Sequence, residues 1–283
     1  MTASPRVASL HLYPLKGGRA LQVESALVTP RGIEGDRRYM VVDPEGVFLS
    51  QRQVSRLALV IALPVPGGLR LGTFEREWLE VPLVEAEDAR VVSLWGGTCV
   101  AIDQGDAAAA WLSDWLEQPC RLVWQPDSAR RGVDQRYAVS EGDIVSFADG
   151  FPLLVCSSTS LADLNTHLGM PVPMNRFRPS LVVEGWADPW YEDRVARLRA
   201  GEVELALVKQ CARCVVTTVD QHTAVRGREP LRTLARVRRA KRGAMFGENA
   251  IPTAVGKVAV GDRVDVVEAR EKELEPVRHV GEQ

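Results

Sequence analysis

Short runs of alternating apolar and polar positions, broken by turn residues, fill the chain from residue 6 to about 103, the pattern of half-buried β-strands. They predict strands over residues 7–15, 23–28, 39–43, 47–51, 57–63, 78–84, 90–94 and 98–103. Trp95-Gly96-Gly97 supplies the positive-φ residues of a tight hairpin between the last two, and Pro66-Gly67-Gly68 breaks the chain in the same way. So many short strands predict a barrel or a sandwich half.

The period changes over 106–117, where Trp111, Leu112, Trp115 and Leu116 recur at helical spacing behind Asp106 in a capping position. These tryptophans are read as core packing. After a strand-like 121–124, the charged, Gly-rich stretch 125–142 predicts a connection between two halves. Further on, Ser158-Thr159-Ser160 precede Leu161, Leu164 and Leu168, with Gly169 beyond, as in a capped helix ended by glycine. Strands are expected at 203–208, 215–219, 257–260 and 263–267, and a helix after Pro230 with Leu231, Leu234 and Val237 on one face. The expectation is a mainly β protein with a few helices (α+β): a domain over 1–124, a second over 125–268 and a flexible tail over 269–283.

Composition narrows the class. With 46% hydrophobic and 25% charged residues the chain is that of an ordinary globular protein, and 35 basic against 37 acidic residues give a net charge of −2. No global basic field is available for nucleic acid. The local cluster Arg226, Arg228, Arg232, Arg236, Arg238, Arg239, Lys241 and Arg242 lacks interleaved aromatics, so it reads as a solvated face or a docking patch for an acidic partner. Five cysteines, an odd number, argue against a disulfide framework, and no signal-peptide pattern or 18-residue apolar run occurs. A cytoplasmic protein with no membrane association is expected.

The most specific local feature is Cys211-Ala212-Arg213-Cys214, set between two strand-like runs. A thioredoxin-type pair should open a helix, whereas Val-Val-Thr-Thr-Val favours a strand. Structural zinc needs a second ligand pair, and the remaining Cys and His residues show no such spacing. That leaves one thiolate on a soft, redox-active metal, with Arg213 keeping the sulfur deprotonated, or two buried structural cysteines. Elsewhere Lys16, Arg37 and Arg178 lie beside turn-forming or extended segments, where a cation with freed backbone amides suits a phosphate.

Tyr13-Pro14-Leu15-Lys16, Gly35-Asp36-Arg37-Arg38, Ser50-Gln51-Arg52-Gln53, Ser146-Phe147-Ala148-Asp149-Gly150-Phe151-Pro152, Asn175-Arg176-Phe177-Arg178-Pro179, Cys211-Ala212-Arg213-Cys214, Glu229-Pro230-Leu231 and Val260-Gly261-Asp262 occur in one order. In that order the chain resembles MOSC-domain proteins, in particular the bacterial YcbX-type proteins and the mitochondrial amidoxime-reducing component, over about residues 5–267.

The resemblance implies an N-terminal β-barrel-like domain joined to a β-rich MOSC domain, with a molybdenum cofactor (Mo-molybdopterin) between them. It implies that Cys214 ligates the metal and that Lys16, Arg37 and Arg178 hold the pterin phosphate and ring, with Gly17, Ser180, Ala212 and Arg213 close by. Three of these depart from the family pattern: Gly17 and Ala212 stand in place of serines, and Ser180 in place of asparagine. Gln221 stands where proline is usual.

The activity implied is reduction of N-hydroxylated substrates such as hydroxylamines, amidoximes and N-hydroxylated bases, with Asp220 as a candidate proton relay. No flavin fingerprint or iron–sulfur cysteine pattern is visible, so electrons are expected from a separate flavoprotein, ferredoxin or cytochrome-type partner. The rival reading is a molybdenum cofactor carrier or sulfur-transfer protein with a persulfide on Cys214.

Overall fold

Residues 4–85 and 89–270 are described in this computed structural model. The first half runs β1 (Arg6–Leu12), β2 (Leu21–Val23), β3 (Ser25–Thr29), β4 (Gly32–Ile33), β5 (Tyr39–Val42), β6 (Ile61–Val65), β7 (Gly68–Gly72), β8 (Leu79–Pro82), β9 (Ala89–Leu94), β10 (Gly97–Asp103), α1 (Asp106–Leu116) and β11 (Arg121–Trp124). The second runs β12 (Leu153–Ser157), α2 (Ser158–Thr166), β13 (Leu181–Glu184), β14 (Val195–Ala200), β15 (Val203–Ala212), α3 (Leu231–Val237), β16 (Arg239–Ala240), β17 (Gly243–Ala254), β18 (Gly256–Ala259) and β19 (Val264–Ala269). The chain is thus mainly β with a few helices.

A nine-stranded sheet in the order β19-β14-β15-β17-β12-β13-β1-β2, with β16 beside β17, carries the second half. Its single parallel pair, β12 with β13, is bridged by α2, since parallel neighbours need a crossover. The sheets do not divide at residue 124: β1 pairs with β13, and β3 with β18. One core (Val7, Leu10, Val28, Leu198, Leu205) therefore joins both ends of the chain. A second (Leu57, Leu69, Leu112, Trp115, Leu122) fills the first half, as the tryptophan and leucine spacing predicted for Trp115 and Leu112.

Several elements differ from expectation. The stretch 47–51 forms isolated bridges only, and 57–63 begins as a 3-10 turn, Ser55–Leu59, before β6. Gly105, not Asp106, precedes α1, and the α2 cap is Ser157, whose hydroxyl accepts from the amides of Thr159 and Ser160. That helix ends at His167 in right-handed geometry, so Gly169 is no positive-φ cap. The run 215–219 is a 3-10 turn, Val215–Thr218. Its threonine hydroxyls donate to the carbonyls three residues back (2.9 Å to Cys214 O, 2.7 Å to Val215 O), which favours a helical turn over extension. Of the tail expected over 269–283, Ala269 ends β19 and Arg270 is anchored on Glu248, while 271–283 lie outside the described residues.

Beneath the cysteine motif lies a buried ionic layer. Arg238 pairs with Asp193 and Arg270 with Glu248, while Ser160 Oγ donates to Glu192 Oε2 at 2.7 Å. Glu192 Oε1 has no partner among the described residues. Burial, then the nearby Asp193, pushes the Glu192 carboxyl up to about 7. A carboxyl raised in the folded state binds its proton more tightly there than in the unfolded chain, so its contribution to stability falls as pH rises from about 4.5 to about 7. Glu192→Gln is accordingly expected to gain on wild type between about pH 5 and about pH 8, by at most about 3 kcal/mol. Denaturant unfolding at both pH values checks this, and a constant difference between the two proteins would contradict it.

Candidate functional site

A cleft of about 870 Å³, counting space open to solvent, lies where the two halves meet. Five cationic side chains line it, Lys16, Arg37, Arg52, Arg178 and Arg213, with one carboxylate, Asp149. Cys211 and Cys214 both reach it, beside Val216. Distant segments thus converge: Lys16 follows β1, Arg37 precedes β5, and Cys214 follows β15.

The cations are held by backbone geometry. Arg37 and Arg178 have positive φ (48° and 55°), uncommon for non-glycine residues, and both guanidinium carbons lie 4.3 Å from the centre of the Tyr13 ring. Arg37 pairs with buried Asp36, whose other oxygen accepts from Tyr13 N at 2.8 Å. Arg178 donates to Gly18 O at 2.6 Å and has no carboxylate within ion-pair distance among the described residues. Burial, with Arg37 adding repulsion, lowers its pKa to about 10, so it remains protonated at neutral pH.

Lys16, only 6% exposed, donates to Asp149 Oδ1 at 2.5 Å. Trp95 Nε1, on the β9–β10 hairpin, donates to the same oxygen at 3.1 Å. Loss of hydration at the cleft wall works against the charged carboxyl, but Lys16 and these hydrogen bonds hold it below the ordinary carboxylate range. Burial lowers the Lys16 pKa, and Asp149 works against that shift.

Gly17 sits on the wall at φ 80°, a conformation that favours glycine, and its carbonyl accepts from Gln51 Nε2 at 2.7 Å. Gln51 also exchanges hydrogen bonds with Gln221 (3.2 and 3.0 Å), a brace across the halves that the family's usual proline could not make.

Ser180 and Ala212 lie outside the cleft lining. Ser180 is fully buried behind the wall, accepting from Leu154 N and Arg37 Nη1. Ala212 ends β15 on the outside. Arg213, expected to keep one of the two sulfurs deprotonated, donates its Nη1 to Cys211 Sγ at 2.8 Å and its Nη2 to Phe177 O at 2.7 Å. Burial raises the Cys211 thiol above its usual value, and Arg213 only partly offsets this. Among the described residues no three His, Cys, Asp or Glu side chains form a metal cluster.

Asp220 does not line the cleft. Its Oδ1 accepts from His222 N (2.9 Å), Thr223 N (3.0 Å) and Thr223 Oγ1 (3.2 Å). Burial favours its neutral form, but these amides and Arg176 more than offset that and hold its pKa below the ordinary value. This is a turn-forming role. Asp220→Ala is therefore expected to lose about 1–2 kcal/mol of stability while kcat changes less than about twofold, and Asp220→Asn to keep most of the stability. A large kcat loss in a well-folded Asp220→Asn would restore the proton-relay role.

Sequence reasoning did not single out Asp149, Trp95 or Gln51 as site residues. Asp149 and Gln51 lay inside recognised motifs, but only the folded chain shows that they face Lys16 and Gly17.

Residues 4–119 match the MOSC N-terminal beta barrel domain and residues 142–265 the MOSC domain. Mitochondrial amidoxime-reducing component 1 of Danio rerio is 33% identical over 277 residues, covering 91% of this chain and 83% of the relative. The Homo sapiens protein of that name is 33% identical (91% and 82% covered) and the Mus musculus protein 34% (91% and 81%). The chain belongs to the MOSC-domain family of amidoxime-reducing components, with both domains present.

Proposed function

We propose that this protein holds a molybdenum cofactor in the cleft and reduces N-hydroxylated small molecules to the corresponding amines, amidines or bases, with electrons from a separate donor protein. The observation that carries this reading is the meeting of Cys214 with more cations than carboxylates in one cleft. The residues present fit such a group. Asp36 neutralises Arg37 and Asp149 neutralises Lys16, but Arg178 has no carboxylate partner among the described residues, which suits the phosphate of a pterin. The Cys214 thiolate suits molybdenum as a soft ligand.

When bound, the cofactor supplies the two-electron redox chemistry that takes the oxygen from an N–OH group. The chain's own residues bind and orient. Lys16, Arg37 and Arg178 would hold the phosphate end, and Cys214 the metal. Asp149 stays ionised at neutral pH, so it fixes the Lys16 ammonium and the Trp95 indole rather than giving up a proton of its own. Trp95, 41% exposed, carries the Arg52 guanidinium 4.4 Å from its ring and forms one lip of the cleft, a flat surface suited to a planar amidoxime.

Protein prepared in a cofactor-competent host should form benzamidine from benzamidoxime with reduced methyl viologen, whereas protein from a cofactor-deficient host should not. Absence of benzamidine in both preparations, with cofactor content verified, would contradict the proposal.

A further inference from the structure

The positive face that Arg228, Arg232 and Arg236 present at α3 has no role in the chemistry above. Residues 226–242 hold eight basic side chains and one acidic one in a chain whose net charge is −2, and of the eight only Arg238 is buried, against Asp193. Arg228, Arg232 and Arg236 are exposed and follow one another at four-residue intervals, with Arg232 N donating to Arg228 O at 3.1 Å as the helix begins. Like charges at this spacing repel along a helix face. Elsewhere exposed arginines such as Arg6, Arg136, Arg199 and Arg263 pair with carboxylates, but among the described residues none lies within ion-pair distance of Arg228, Arg232 or Arg236. The sole acid of the stretch, Glu229, accepts instead from Thr233 N at 3.0 Å.

This face adjoins the cleft. α3 packs on the turn Val215–Thr218 that follows Cys214. Val215, next to Cys214 in sequence, is 40% exposed, and Val225 at the edge of the arginine stretch is 65% exposed. Arg226 reaches back to the cleft wall, donating to Gln51 O at 2.8 Å. A cationic ladder on the helix that packs against the turn after the candidate metal ligand, with exposed Val215 on that turn, is a surface on which an oppositely charged redox protein gains both steering and a short path.

We infer that the arginine ladder Arg228–Arg232–Arg236, with Val215 and Val225, docks an acidic electron-carrier protein against the cleft. The inference rests on the reductase reading above. Each conversion of N–OH to N–H and water consumes two electrons and two protons. The carrier gives up those two electrons and is oxidised, in two successive dockings where it is a one-electron haem or iron–sulfur protein, and solvent supplies the protons. The sequence argues against nucleic acid as the occupant, because aromatic stacking residues are absent from the stretch.

The test replaces all three arginines (Arg228→Glu, Arg232→Glu, Arg236→Glu) in the holoprotein. Its probes are a flavodoxin, a plant-type ferredoxin and a soluble cytochrome b5 domain, all acidic. Affinity measured by calorimetry at about 20 mM salt should fall at least about tenfold in the variant, and wild-type affinity should weaken toward about 200 mM salt. Reduction of benzamidoxime driven by carrier should fall in parallel, while reduction driven by methyl viologen, which needs no docking, should change less than about twofold. An unchanged unfolding midpoint would confirm that the exposed substitutions leave the fold intact.

Carrier affinity unaffected by the reversal, or no carrier binding at low salt, would overturn the inference. So would a single-stranded oligonucleotide that binds more tightly than every carrier. Loss of viologen-driven turnover in the wild type itself would instead count against the reductase reading, and the binding measurement would still decide the docking surface.

Discussion

Cys214→Ala is expected to abolish molybdenum retention and to lower amidoxime reduction by more than about 100-fold, while the far-ultraviolet spectrum and unfolding midpoint stay close to wild type. The physical reason lies in the poverty of the cleft in other ligands. Among the described residues no cluster of three metal-binding side chains exists, so the protein's hold on a metal rests on one sulfur. Cys211 is a poor substitute. It lines the same cleft, but burial raises its thiol pKa and its sulfur already accepts from Arg213, so Cys211→Ala should reduce metal content far less. Metal analysis of the two variants side by side checks the ranking, and equal loss in both would leave the ligand assignment without support.

The second large effect is expected at Arg178. Arg178→Ala should weaken cofactor binding by about 2–3 kcal/mol, on the order of 30- to 150-fold, because it removes a charge-assisted partner of the phosphate. Stability of the cofactor-free protein should change little. Arg178 there lies close to Arg37, with both guanidinium groups against Tyr13, so truncation relieves like-charge repulsion as it deletes the bond to Gly18 O. Pterin content after gel filtration, with the unfolding midpoint of cofactor-free protein as the control, separates the two. Unchanged pterin content would contradict the phosphate assignment.

Much of this site could be read before folding. Lys16, Arg37, Arg178 and the cysteine pair were legible because cations beside turn-forming or extended segments and two thiols three apart are local signals, and all of them line one cleft. What stayed hidden depends on long-range pairing. Asp149 is 133 residues from Lys16. The Gln51–Gln221 brace spans 170 residues. Arg213 turned to Cys211 because Phe177 O, on a different segment, fixes its other nitrogen.

The strands show the same division. Alternation marked 90–94 and 98–103 as β9 and β10, joined at Trp95-Gly96 with φ values of 54° and 78°. β17 escaped because Gly247, Glu248, Asn249 and Pro252 interrupt any alternation. Gly247, at φ 74°, leaves room for Cys156 Sγ, which a Cβ would approach to 2.6 Å, and Glu248 is buried against Arg270. The turn after Cys214 misled because valine and threonine favour strands in general, and only the hydroxyl bonds to preceding carbonyls show why they curl here.

The most direct test of the central claim is elemental analysis for molybdenum and zinc of the wild-type protein, purified from a host that makes the cofactor. Near-stoichiometric molybdenum and no zinc are expected. Zinc, or no metal at all in a folded protein whose host demonstrably loads other molybdenum enzymes, would contradict that claim and leave the cysteines as a sulfur carrier or a structural pair.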